Sequence, residues 1–229
     1  MKILSAVLLV INTIYTQSYE VTCFGLHVAQ IKQRIYETGR MDWEVQSRGI
    51  IDLMWPLNNN YTTFYNTKTF ELKSLEKNIK QDLNKYTLKA KMDSTSNYLV
   101  YDNQQIKNEG PFYTFFTMLA MVQSSPIESI DTKWFPYEYE GKTGRVRFLW
   151  SDSLMIWGGK DSIMCDHYRM DINITDSTYV VNNTKDYFME YINDSKHIKE
   201  VWIKRGKNKS IVQASVKNDW ITLLAKTDI

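Results

Sequence analysis

The sequence predicts a mainly β protein: a single curved antiparallel sheet forming an open or half-closed β-barrel, with one short helix packed across it. Apolar and polar residues alternate over unusually long stretches, and turn-forming clusters recur between them. One nearly continuous apolar run, 112–122, breaks the alternation. Only four prolines and nine glycines occur in 229 residues, and no linker tract or fixed-period repeat divides the chain.

In order along the chain, Tyr19, Val21 and Cys23 alternate, Gly25 interrupts, and 26–36 resumes as a second long strand. Met41 to Trp55 carries the strongest period of two, which predicts one long strand either bulged near Ser47 to Gly49 or strongly curved. Strands follow at 61–65, 69–75, 86–92 and 98–101, giving an antiparallel meander. Gly110-Pro111 then opens a helix over 112–123, in which Phe112, Phe115, Phe116, Leu119 and Val122 fall at helical spacings. Strands resume at 132–140, 145–150, 154–157, 162–175 and 178–181. The segment 186–193 suits a short helix or strand, and three strands close the chain at 201–203, 211–216 and 220–224.

The first eighteen residues read as an export signal: Lys2 supplies the cationic start, Ile3 to Ile14 the apolar run, and Thr16-Gln17-Ser18 the small residues before a cut after Ser18. The expected organisation is thus a signal peptide, 1–18, and one β-rich domain, 19–229, located in a periplasm or outside the cell and without a transmembrane span in its mature form. The apolar run is shorter than the roughly 20 residues a span needs. Loss of Lys2 leaves 27 basic against 26 acidic residues, so no field recruits nucleic acid. Cys23 and Cys165 form a candidate disulfide, whose loop would stabilise by about 4 to 5 kcal/mol in the chain-entropy model; two small buried hydrophobes are the alternative.

No nucleophile elbow, phosphate loop, zinc helix or calcium loop occurs. His27, His167 and His197 are far apart, and Asp161, Asp166 and Asp171 do not share a strand face. Neither a cofactor nor a catalytic residue is expected. Trp43, Trp55, Phe112, Phe115, Phe116, Leu119 and Trp202 are the candidates for lining a ligand cavity or filling the core.

The closing stretch, Val201-Trp202-Ile203-Lys204, then Ile211-Val212-Gln213-Ala214, then Trp220-Ile221-Thr222-Leu223-Leu224, resembles the end of an exported bacterial family catalogued as domain of unknown function 3108. An aromatic-led strand, Tyr19-Glu20-Val21, a glycine-containing second strand, 25–29, the midway apolar region and a Gly-x-x-x-Arg-Val strand, Gly141 to Val146, are similar to that family too. The chain departs from it where Ile211-Val212 replaces a proline and where an arginine near the helix is missing. The resemblance implies an envelope-located curved sheet, shaped like half-barrels that carry lipoproteins, and implies no catalytic residues. The expected function is a non-enzymatic exported module for an apolar ligand such as a lipid or lipoprotein; the alternative is a structural or assembly factor that binds an envelope protein.

Overall fold

A computed structural model describes residues 13–227 apart from 94, 96–97, 103, 108–109, 158–160, 179–180 and 182–184. Its strands are β1 (Thr13–Cys23), β2 (Leu26–Tyr36), β3 (Arg40–Ser47), β4 (Asn58–Tyr65), β5 (Leu72–Gln81), β6 (Asn84–Met92), β7 (Tyr98–Tyr101), β8 (Gln105–Lys107), β9 (Phe135–Tyr139), β10 (Lys142–Trp157), β11 (Ser162–Asp176), β12 (Ile198–Lys204), β13 (Ile211–Lys217) and β14 (Thr222–Thr227). Short helices α1 (Gly49–Met54), α2 (Phe115–Ser124), α3 (Ile127–Ile130) and α4 (Tyr187–Asn193) interrupt them. The fold is mostly β, with one large antiparallel sheet that does not close.

The sheet order is β8 to β1, then β14 to β9, so two meanders meet where β1 pairs with β14. That ladder runs from Tyr19 opposite Thr227 to Cys23 opposite Leu223. The long alternations become curvature: inward Tyr61 and Tyr65 on β4, Val146 and Phe148 on β10, and Tyr168, Met170 and Ile172 on β11 all enter one core. β9 is buried on both faces, with Tyr137, Glu138 and Tyr139 each under 5% exposed, because β7 lies over the side turned away from the core. The sheet therefore overlaps itself as a roll instead of joining edge to edge. Phe112 and Tyr113 fill the seam: Leu72 N donates to Phe112 O at 2.8 Å, and Glu138 N donates to Tyr113 O at 2.9 Å.

The apolar run 112–122 shows why it lacks a polar face. α2 is buried from Phe116 through Gln123, so it sits inside the roll rather than on it, which requires apolar residues all round. It starts three residues later than the spacing predicts. Phe112 and Tyr113 remain extended to serve the seam, and Thr114 caps the helix in a box with Thr117.

Three expectations are corrected. The strand expected over Met41 to Trp55 ends at Ser47, where Gly49, at φ +62°, turns the chain into α1, which buries none of its residues. Trp55 follows that helix and is 54% exposed, so it belongs to neither cavity nor core. Cys23 and Cys165 are free thiols. They lie on β1 and β11, four strand spacings of about 4.8 Å apart across the sheet, and at different heights along it, far beyond disulfide reach.

Of the closing strands, the first two form as expected, whereas the third starts at Thr222 because Trp220 and Ile221 stay in the turn, and β10 merges two predicted strands through a register shift between Trp150 and Asp152. Segment 186–193 resolves into α4, capped by Asp186. The strand expected over 178–181 lies partly outside the described residues, at 179–180. The expected cut after Ser18 falls within β1; residues 13–18 pair with β2, whereas the ladder to β14 begins at Tyr19.

Trp43 is 6% and Trp202 9% exposed. Urea unfolding of Trp43→Ala and Trp202→Ala is expected to show losses of about 3 to 5 kcal/mol each. Trp55→Ala should stay within about 0.5 kcal/mol of the parent. A core loss at position 55 would contradict the placement of α1.

Candidate functional site

Inside the roll, between α2, α4 and the junction strands, lies an apolar cavity of about 110 Å³. Its origin is local. Ala214 on β13 and Ala225 on β14 stand directly opposite each other and both face the cavity, so the wall there is reduced to two methyl groups. Tyr19 and Val21 of β1, Leu223 of β14 and Val201 of β12 continue that wall, while Phe115, Phe116 and Leu119 of α2 form the opposite one. Phe188, Tyr191 and Ile192 place α4 across one end. The Tyr19 and Trp43 rings stack at 6.2 Å, and Phe116 tilts against Trp43 at 5.7 Å, which fixes the aromatic side.

Of the sequence candidates, Trp43, Phe115, Phe116 and Leu119 converge on this cavity. Phe112 and Trp202 do not. Phe112 packs with Leu72, Leu88 and Tyr101 in a second cluster under β5 to β8. Trp202 points to the other face of the sheet, stacks on His167 at 4.4 Å, and shares a small third cluster with Cys165 and Val212.

One cationic side chain borders the cavity. The stem of Lys199 lines it, while its Nζ donates to the carbonyls of Asp194 at 2.6 Å and His197 at 2.8 Å, just beyond α4. Burial pulls its pKa down to about 8, against the opposing pull of Asp194 and Asp171. The cavity surface is nearly free of polar atoms, with Glu200 and Ser215 beside Lys199 at its border.

A second, polar cluster occupies the seam. Lys77 lies on the inward face of β5 between Leu75 and Ile79 and reaches Glu140 Oε1 at 2.9 Å and Asp186 Oδ2 at 3.8 Å. Tyr61 Oη donates to both Asp186 oxygens, at 3.1 and 3.0 Å, Gln81 Nε2 donates at 3.2 Å, and Met189 N completes the cap of α4 at 3.1 Å. Desolvation raises the Asp186 pKa, with Lys77 opposing. For Lys77, burial pulls the pKa down, but the Glu140 and Asp186 carboxylates outweigh it and the net direction is up. Glu138 accepts from Tyr101 Oη and from Gly141 N, and burial pushes its carboxyl up to about 7. Its Oε2 and the hydroxyl of Tyr139 are buried with no hydrogen-bond partner among the described residues. The space beside this cluster is about 20 Å³, room for a single water. The cluster bolts the start of α4 to β4 and β5.

Sequence reasoning missed this cluster. Lys77 in the apolar phase of an alternating strand was the available signal, but the strand was expected to end at Leu75. Among the described residues no group of three His, Cys, Asp or Glu is placed to hold a metal ion. Nor is any described helix long and apolar enough to cross a membrane.

No family model matches the chain, and no curated protein matches it in sequence. In three dimensions it is similar to the crystal structure of a β-barrel-like protein of domain of unknown function DUF1849 from Brucella abortus. The TM-score is 0.56 at 8% identity, over 93% of this chain and 94% of that one. This likeness supports the β-barrel-like architecture, and at that identity it speaks of fold alone.

The Glu138 carboxyl gives a pH signature. An unfolded glutamate releases its proton near 4.5, whereas the folded one holds it to about 7, so the folded state binds the extra proton across that window. Stability is expected to fall as pH rises from 5 to 8, and Glu138→Gln should flatten that slope in melting scans. An unchanged slope would place the titration elsewhere.

Proposed function

We propose that this chain is an exported, non-enzymatic binding module for an apolar ligand, held in the cavity between α2, α4 and the β1–β14 junction. The supporting observation is the cavity itself: about 110 Å³ of space walled almost wholly by hydrocarbon. A cavity of about 150 Å³ with such walls stays dry and accepts a benzene-sized guest. This cavity is smaller, so as it stands it holds a guest of a few carbons, and a longer acyl chain requires the half-buried rings of Phe115, Phe188 and Tyr191 to move. Envelope location, implied by the resemblance to domain of unknown function 3108, belongs to the same reading. A ligand-binding role needs no catalytic group.

Native mass spectrometry of the protein purified from its own envelope without detergent should find a lipid adduct on a chain beginning at Tyr19. A bare polypeptide mass, together with no uptake of an apolar fluorescent probe, would sink the reading. Ala225→Leu adds bulk where the wall is thinnest. It should weaken probe binding at least about tenfold without lowering the melting temperature, since filling a void adds contacts.

A further inference from the structure

In an antiparallel meander alternate turns lie at the same end of the sheet, and here one end collects the most exposed apolar side chains. Phe24 in the β1–β2 turn is 79% exposed, Leu53 in the β3–β4 connection 86%, Leu83 in the β5–β6 turn 90% and Trp220 in the β13–β14 turn 84%. Leu26, Met54 and Trp55 stand beside them, each more than half exposed. At the opposite end the β2–β3, β4–β5 and β12–β13 turns present Glu37, Lys68, Arg205 and Lys207 to solvent, while Trp157 and Met155, 64% and 53% exposed, stand in the open at the end of β10. So many apolar tips gathered at one end, rather than scattered over the whole surface, call for an occupant.

We propose that this end docks on a lipid surface, with Phe24, Leu53, Leu83 and Trp220 inserted among the acyl chains and the headgroups taken by the turns' polar residues. Four properties on the molecule favour lipid over protein. The apolar residues project from four separate turns, three of them as one or two side chains and the β3–β4 connection as the group Ile50, Leu53, Met54 and Trp55, with polar residues between, and a fluid surface admits each projection independently. The charges beside them alternate in sign: Arg48 with Asp52, Asp82 with Lys85, Lys217 with Asp219, all exposed. The patch thus matches a neutral zwitterionic surface rather than a charged one. Tryptophan, represented here by Trp55 and Trp220, suits the headgroup boundary. Finally, the patch is continuous with the element that caps the cavity: Trp55 meets Tyr187 of α4 edge-on at 6.0 Å, and Tyr191 Oη donates to Ile221 O at 3.4 Å. The surface proposal stands on these turns alone. Its link to ligand transfer rests on the apolar-ligand reading above.

The test is sedimentation with vesicles of phosphatidylcholine alone, comparing the parent with a triple variant, Leu53→Asp, Leu83→Asp and Trp220→Asp. These side chains touch little, so melting should be unchanged. The parent is expected to co-sediment, the variant to lose at least about tenfold in partitioning, and added anionic lipid to change the parent's partitioning by less than about threefold. A parent that ignores the vesicles, or a variant that partitions equally, overturns the proposal. A parent that is dimeric in solution while the variant is monomeric overturns it too, assigning the patch to a second copy. Apolar-probe uptake without vesicles separates the two readings. Uptake with no sedimentation overturns docking and leaves the ligand reading standing; sedimentation with no uptake supports docking and removes the ligand.

Discussion

The pairing of β1 with β14 is the constraint on which the rest of this molecule depends. Five residues from each end of the chain, Tyr19 to Cys23 and Leu223 to Thr227, join two meanders that would otherwise be separate sheets. Tyr19, Val21, Leu223 and Ala225 all face the cavity from those two strands, so the cavity exists only when the ends have met. Closing so long a loop costs only slowly growing entropy, yet it cannot be rewarded until both meanders are in place. The fold is accordingly of the slow, non-local kind.

Rolling a sheet of fourteen strands creates a second problem, which the seam solves. Where the sheet overlaps itself, backbone groups of β9 and of the start of β5 lose sheet partners, and the extended pair Phe112 and Tyr113 supplies them. The side chains there are polar. Burying Lys77 with Glu140 and Asp186 gains little over well-packed hydrocarbon, because each charge gives up water. Once buried, however, none of the three is removable alone, since its partners would be left uncompensated. The cluster thereby ties three remote segments, β5, the β9–β10 turn and the start of α4, to one arrangement.

Much of the architecture was legible because strands with one wet face write a period of two into the chain. β2, β6, β11, β12 and β13 fall where it places them, while β14 starts two residues later. The reading failed where alternation was coincidental. Ile51, Leu53 and Trp55 continue the phase of Met41, Trp43 and Val45, but a glycine in the left-handed region ends the strand, and those three side chains leave the core. Composition could not reveal this, because apolar residues bound for an exposed tip look like apolar residues bound for a core. The cavity candidates divided for a related reason. Trp43, Phe115, Phe116 and Leu119 meet because β3 and α2 face each other, while Trp202 sits on the reverse face of its strand, where the curl of β10 and β11 hides it. Burial on the convex face leaves the same sequence signature as burial on the concave one.

α4 is where the cavity, the seam and the apolar turns are physically joined, and its two ends are held differently. At the start, Asp186 is fully buried and takes bonds from Tyr61, Gln81 and Met189, with Lys77 nearby. At its other end, Tyr137 Oη donates to the buried Asn193, His197 Nδ1 lies 2.8 Å from the Tyr191 carbonyl, and Lys199 Nζ donates to the carbonyls of Asp194 and His197. Tyr191 adds a single half-exposed bond to Ile221 beside Trp220. Tyr137 and Asn193 are both buried, so the bond between them is costly to break, as are those to the Asp186 carboxylate. α4 is therefore pinned at both termini, and the cavity widens by rotation of the half-buried Phe115, Phe188 and Tyr191 rings rather than by a swing of the helix.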